Sequence, residues 1–394
     1  MRKTPPLLLT LLLASSVATA QSPYDTVLRQ IEQNSVTLEA LRADAEARRA
    51  QSRTGLAPAD PEVEFGYLWG RPAAGGDRKD ISVRQTFDFP SVYHRRLRLA
   101  DGQERSSEWA YRTERMDLLL EAERTCIRLV CCNALYALYV EQADRLRQAA
   151  EAEAQRLEIG ESSRTDYNKA VLQHTQAEAG AQRIRLEQER LSADLEAMNG
   201  GRPIVADLSD YPPRPALPGD FEAWYIAAEA AHPALQYLKA QAEVAEREVG
   251  LTRAETLPRL SVGYMGEFVP GQRYQGVTAG MSLPLWERRN RLQQAHAEAR
   301  ASEQRMDDAR LRYYRRLNTL HAEASSLTAT IARYDSLLTC HDNAALLHTA
   351  FHLGELPLSQ YVQELEFGLA VRVALIETRR DLELVRAELE AYNL

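Results

Sequence analysis

The chain has 394 residues, 45% of them hydrophobic and 26% charged, with a formal net charge of −8 at pH 7. That acidic balance argues against nucleic acid as a partner. A chain of this length would ordinarily be taken for two domains.

The N-terminus carries Arg2 and Lys3, an apolar run from Leu7 to Leu13, and the small-residue triplet Ala18-Thr19-Ala20 before Gln21. This is the pattern of a secretory signal peptide over residues 1–20. Its apolar core is too short to span a bilayer, and no Cys follows the cleavage site, so a lipid anchor is not indicated. Removing the leader leaves 46 basic against 56 acidic residues, a net charge of −10. Beyond the leader, no run approaches the roughly 18 apolar residues of a membrane helix, so membrane contact must come from strands or surfaces.

In chain order, residues 24–55 have helical composition, and 62–69 and 80–89 alternate as strands. A helix is expected over 91–159, a break at Gly160, and a helix over 164–199. A Pro-rich connector follows over 201–219. The same series then recurs: helix 221–255, strands 259–268 and 274–285, helix 286–352, a break at Gly354, and helix from Pro357 to the end. Pro90 to Pro284 and Gly160 to Gly354 are both separated by 194 residues. One offset at two distant landmarks makes 21–200 and 220–394 two copies of one plan. The helices 91–159 and 286–352 would each be about 100 Å long at 1.5 Å per residue. Pairs of half-length helices stacked end to end would match them, giving a wall of four columns. Such a wall needs neighbours on both sides, so self-association is expected.

The strands are apolar on one side. Val63, Phe65, Tyr67 and Trp69 share a face, as do Ile81, Val83, Phe87 and Phe89, then Leu260, Val262, Tyr264 and Phe268, then Val277, Ala279, Met281 and Leu283. Gln85 interrupts the apolar side of the second strand without an evident reason. An ordinary half-buried sheet shows the same alternation. Four strands cannot close a barrel, however, and lipid tolerates no open edge, so several copies would have to pool their strands. The turns Arg71 to Lys79 and Pro270 to Tyr274 would then face the exterior.

Cys126, Cys131 and Cys132 share one helical pattern, and Cys340 falls on another at a height differing by about 30 Å. Free, buried thiols are expected. His348 and His352, spaced i,i+4 with Glu355 nearby and His341 two turns earlier, are a weak candidate metal pair, against solvated surface histidines as the plainer reading. The charge-rich stretches 145–158 and 372–390 read as wet faces laced with i,i+4 pairs. No nucleophile elbow, phosphate loop or Cys-x-x-Cys pair is present, so neither an enzyme nor a cofactor is indicated.

A signal peptide, a duplicated helix–β-hairpin–helix unit, and the Gly160 to Asp166-Tyr167 and Gly354 to Gln360-Tyr361 spacings resemble the TolC family of outer-membrane efflux proteins. The resemblance implies a mostly α fold with a small membrane β part. As a homotrimer it would form a 12-stranded outer-membrane barrel continued by a long periplasmic α-helical barrel. It implies a passive outer-membrane exit duct for small molecules or metal ions, served by a periplasmic adaptor (a membrane fusion protein) and an inner-membrane pump. The Phe-Asp-Phe-Pro and Leu-Pro-Leu strand ends are similar to the heavy-metal efflux branch. By the same resemblance, adaptor contacts fall on Gly160, Asp166, Tyr167, Gly354 and Tyr361, and the pore mouth on Gln360, Gln363 and Glu364. Asp166 also suits a capping box with Ser163. By the same resemblance, some relatives carry acids where Gln360 and Gln363 stand and a basic latch where Leu356 stands, so the usual acidic ring and latch are unmatched. A protein-secretion duct shares the whole architecture. A periplasmic coiled-coil scaffold accounts for the helices but not for the strands.

Overall fold

The computed structural model describes residues 22–71, 76–283, 290–341 and 343–394. The leader over 1–20 and the start of the helix expected at 286 lie outside the described residues. Helices α1 (Pro23–Asn34) and α2 (Val36–Ser52) precede strands β1 (Glu62–Leu68) and β2 (Arg78–Phe87). Then come α3 (Pro90–Glu158) and α4 (Arg164–Met198). The second copy supplies α5 (Phe221–Ala231), α6 (Pro233–Ala254), β3 (Arg259–Val269), β4 (Gln272–Ser282), α7 (Arg291–Cys340), α8 (Ala344–His352) and α9 (Leu358–Glu390).

Both short helices expected to be continuous are jointed. The first bends at Ser35, whose hydroxyl accepts from the Leu38 amide. The second bends at His232 before Pro233, which lacks the amide a continuous helix needs. These two joints have the same backbone angles, φ −67° and ψ 117°. The helix expected over 286–352 is also broken, between Cys340 and Ala344. Cys340, His341, Asp342 and Asn343 are all poor helix formers. Their counterparts 194 residues earlier, Leu146 to Ala149, sit inside unbroken α3, where Arg147 pairs with Asp144 and with Glu151 at 2.7 Å.

Long α3 runs between two columns. Helices α1, α2 and α4 flank one side, and α6 and α9 lie on the other. Helix α7 closes the wall against α6 and α9. A helix with neighbours on both sides buries many residues, whereas α7, at the wall's edge, buries only Ala295, Leu317 and Ala324 of its 50. The exposed surface of 25640 Å² compares with roughly 15,500 Å² for a compact chain of 44.4 kDa. An elongated single-layer wall has that excess, and both flanks remain open.

The four strands form one antiparallel sheet in the order β1-β2-β3-β4, so the β2–β3 pairing joins the two copies. The register aligns Val63 with Val83, Val83 with Tyr264, and Tyr264 with Val277, setting one apolar face across all four strands. That face is bare: Val63, Phe65, Val262, Val277 and Met281 are all exposed. The opposite face is polar, with Arg78 bonded to Asp80 at 2.8 Å and to Glu267 at 3.2 Å. Gln85 has its explanation here, since its side-chain amide donates to the Ala59 carbonyl at 2.5 Å and ties the chain entering β1 to β2. Among the described residues no helix is long and apolar enough to cross a membrane.

The connector is pinned rather than loose. Gln30 donates to the Val205 carbonyl at 3.0 Å and Asn133 to the Leu208 carbonyl at 2.9 Å. Arg214 is buried between α3 and α9, bonded to Glu123, to Glu383 at 2.7 Å and to Glu390 at 2.9 Å. Nearby, Val27, Ile31, Cys126, Ile127, Leu191 and Leu195 form a core.

All four cysteines are free, but Cys340 is exposed, a correction to the expectation of four buried thiols. It sits at the end of α7, where the helix break removes the packing that its counterpart Leu146 enjoys. Burial, aided by Glu123, pushes the Cys126 thiol up to about 12, and burial pushes Cys131 up to about 11. Maleimide at pH 7.5 is therefore expected to label one thiol, Cys340, in the folded protein and all four after denaturation, as counted by intact mass. Labelling of Cys126 without denaturation would contradict this packing.

Candidate functional site at the hairpin tips

Two helical hairpins turn at the end of the wall away from the sheet, and both turns follow from a glycine. After α3, Gly160 adopts φ +81°, the Gly160 amide donates to the Leu157 carbonyl at 3.2 Å, and the Glu161 amide to the Arg156 carbonyl at 2.8 Å. After α8, Gly354 adopts φ +77°, its amide donates to the Phe351 carbonyl at 3.1 Å, and the Glu355 amide to the Ala350 carbonyl at 2.9 Å. These are matching Schellman closures that satisfy the last carbonyls of each helix. A side chain at Gly160 would meet nothing within 4 Å, and one at Gly354 only the Arg156 guanidinium at 3.8 Å. The glycine requirement is thus conformational, not steric. Gly354→Val is expected to cost about 1–2 kcal/mol through the left-handed backbone alone, read as a lower denaturation midpoint, whereas Gly354→Asn should cost clearly less.

The next helices begin differently. Ser163 accepts from the Asp166 amide at 3.1 Å, and its hydroxyl donates to the Asp166 carboxylate at 2.6 Å. The reciprocal half of the expected capping box, Asp166 reaching back to the Ser163 amide, is not formed, because that carboxylate takes the hydroxyl and lies 3.9 Å from Lys169. Pro357, the counterpart of Ser163, starts α9 without a side-chain cap.

Between the hairpins lies a small, well-packed cluster. Phe351 and Tyr361 are buried and stack with centroids 4.4 Å apart and planes at 10°. Burial raises the Tyr361 hydroxyl above its ordinary pKa. Leu146, Ala149, Ala170 and Leu358 pack around the pair. Arg156 reaches across from α3, donates to the Phe351 carbonyl at 2.7 Å, and lies 5.0 Å from the Phe351 ring centroid. It also binds Glu153 at 3.0 Å, a carboxylate that is only 3% exposed and accepts the Ser162 hydroxyl as well.

Sequence reasoning missed Arg156, Glu153 and Phe351. Positions 145–158 looked like a wet face, and one-dimensional spacing does not distinguish an Arg pairing along its own helix from one that crosses to the next hairpin. The only available signal was that Glu153 falls in register with Leu146 and Ala149, on the buried side.

Of the sequence candidates, Tyr361 is buried in the cluster and Tyr167 half-buried, while Gln360, Gln363 and Glu364 are exposed on α9. His348 and His352 do come together, with ring centroids 4.3 Å apart. His348 Nε2 lies 3.2 Å from the Gln148 side-chain oxygen, and burial, with His348 and Arg156, lowers the pKa of His352. Neither Glu355 nor His341 completes the pair, and among the described residues no group of three metal-ligating side chains occurs.

The whole chain, a four-stranded sheet on a long helical wall with paired hairpin tips, matches solved channel structures over nearly its full length. CusC superposes with TM-score 0.80 at 12% identity, covering 94% of this chain and 91% of that one. The outer membrane protein VceC of Vibrio cholerae gives TM-score 0.77 at 14% identity, covering 94% and 95%. This chain has the TolC-type outer-membrane channel fold. In sequence it is similar to the alkaline protease secretion protein AprF of Pseudomonas aeruginosa, 25% identical over 337 residues, 77% of this chain and 70% of that protein. It is also 27% identical to protein CyaE of Bordetella pertussis over 230 residues, 55% of this chain and 48% of CyaE. No family profile matches the chain. Within the TolC-type fold, the tip cluster occupies the end of the helical wall opposite the sheet.

Proposed function

We infer that this chain is one protomer of an outer-membrane exit duct in a tripartite export system, an open path rather than an enzyme. The observation that carries the reading is the four-stranded sheet, bare and apolar on one face and, among the described residues, unpaired at both edges, continuous with a helical wall whose flanks are also open. Three copies pooling twelve strands close the edges and give lipid the apolar faces. The flank of α7 then meets the neighbour's α2 and α4. In this reading the two structural repeats span 21–200 and 220–394, joined by the connector 201–219.

The duct supplies a water-filled passage and no energy, so a periplasmic adaptor and an inner-membrane pump do the work. The tips around Gly160, Asp166, Tyr167, Gly354 and Tyr361 face the adaptor, and Gln360, Gln363 and Glu364 line the inner mouth. With glutamines at the first two positions, Glu364 carries that ring's charge. The experiment is to fractionate cells making the full-length protein, then follow export with its cognate pump. An outer-membrane trimer that restores extrusion of small molecules or metal ions supports the reading. A water-soluble monomer would overturn it.

Two sequence relatives favour a second reading. AprF is named for secretion of alkaline protease, and the same pipe serves polypeptides if the partner pump loads them. The same assay decides between them: appearance of a polypeptide outside the cell, with no gain in small-molecule resistance, selects the secretion duct.

A further inference from the structure

At the turn end of the sheet, one cross-strand row is unlike those below it. The register aligns Tyr67 with Lys79, Lys79 with Phe268, and Phe268 with Arg273, so aromatic and basic residues alternate across all four strands. Side chains of one row share one face, and this face is the apolar one that also carries Phe65, Val83, Tyr264 and Val277. The Lys79 ammonium lies 5.8 Å from the Tyr67 ring centroid. Tyr67 is held in place by donating to Asp77 at 2.5 Å, and the other Asp77 oxygen accepts the Gly70 amide at 3.1 Å. Trp69, one step further out, packs edge-on against Tyr67 and is 85% exposed.

The two faces treat their cations differently. Arg78, adjacent to Lys79 but on the polar face, is neutralised by Asp80 and Glu267. On the apolar face, Lys79 and Arg273 form no ion pair among the described residues. Their stems lie beside Tyr67 and Phe268, and with Asp77, Gly271 and Gln272 these four side chains line a shallow concavity open to the outside. Two cations at the outer rim of a lipid-facing band face one carboxylate, Asp77, which already accepts the Tyr67 hydroxyl and the Gly70 amide, so a net positive charge remains for anions supplied at headgroup level.

We propose that the Tyr67-Lys79-Phe268-Arg273 row is a docking site for the phosphate groups of a phosphorylated outer-leaflet glycolipid, one site per protomer. The assignment rests on the duct reading, which places this face in lipid and these turns outermost. The aromatic rings lie along the acyl boundary and the two cations meet the phosphates. The site gives the sheet a fixed depth in the leaflet without a covalent anchor.

The test uses the full-length protein purified from outer membranes as a trimer in mild detergent. Native mass spectrometry follows added bis-phosphorylated lipid A, its dephosphorylated form, and inorganic phosphate. Wild type is expected to retain lipid A on the order of tenfold better than K79Q/R273Q, with the charge-preserving K79R/R273K close to wild type and the dephosphorylated lipid held weakly. Equal retention by wild type and K79Q/R273Q, or of both lipid forms, overturns the site, as does displacement of lipid A by millimolar inorganic phosphate. The parent reading fails separately: protein that never inserts into phosphatidylcholine vesicles is no duct, whereas a trimer that inserts normally yet ignores the phosphates rejects only the docking site.

Discussion

Replacing Arg214 with alanine is expected to destabilise the folded chain by about 3–5 kcal/mol, because it leaves buried carboxylates without their counter-charge. Arg214 stands in the connector, not on either long helix, yet it joins Glu123 on α3 to Glu383 and Glu390 on α9. Burial opposes its charge and the three carboxylates overcome that penalty, holding the guanidinium firmly protonated. The same burial pushes Glu123 and Glu383 above the ordinary carboxylate range, with Arg214 pulling each back.

The sign of the pH dependence follows. An acid whose folded pKa exceeds its unfolded value binds protons more tightly when folded, so its contribution to stability is lost as pH rises through the folded pKa. Without Arg214 that pKa rises further and the lossy window widens. Arg214→Ala should therefore cost clearly more at pH 8 than at pH 5, measured as the guanidinium midpoint of helical circular dichroism. Adding Glu123→Gln and Glu383→Gln in the same chain should recover most of the loss, since neutral groups need no counter-charge. A deficit independent of pH, or one that the glutamines leave untouched, would mean that Arg214 acts through packing alone.

The second large effect is expected at the tips. Arg156→Ala removes a side chain that bonds the Phe351 carbonyl from the opposite hairpin and also neutralises buried Glu153. Hydrogen bonds to a charged donor contribute about 1.5–3 kcal/mol, which corresponds to roughly 10- to 100-fold in the ratio of tied to untied tips. The second hairpin carries a further joint between α7 and α8, so it is the one expected to give way. Single-channel conductance of the variant in planar bilayers should rise several-fold over wild type. Arg156→Lys, which keeps the charge but not the planar fork, should fall between. Unchanged conductance in both variants would show that the tie does not control the opening.

Much of the architecture was legible in one dimension because it rests on local physics. Alternation in the strands reflects the two faces of a pleat, and the strand assignments shift by at most a few residues at their ends. Gly160 and Gly354 announce their turns because the left-handed backbone is cheap only for glycine. The α7–α8 break was also present as four poor helix formers in a row, but it was outweighed by expecting the second copy to repeat the unbroken first. The exposure of Cys340 follows from that same break. Gln85 looked anomalous since its partner, the Ala59 carbonyl, belongs to the segment leading into another strand.

The amino-acid order by itself determined the element types, the two glycine turns and the one-sided strands, all set by interactions within a few residues, and it carries the constant offset of 194. Only the tertiary structure decided which charged residues leave the wet surface. Arg214 and Arg156 reach partners on segments 91 and 195 residues away. The physical reason is that a guanidinium is as compatible with solvent as with a buried carboxylate or carbonyl until packing removes the water, and packing is a property of segments brought together, not of sequence neighbours.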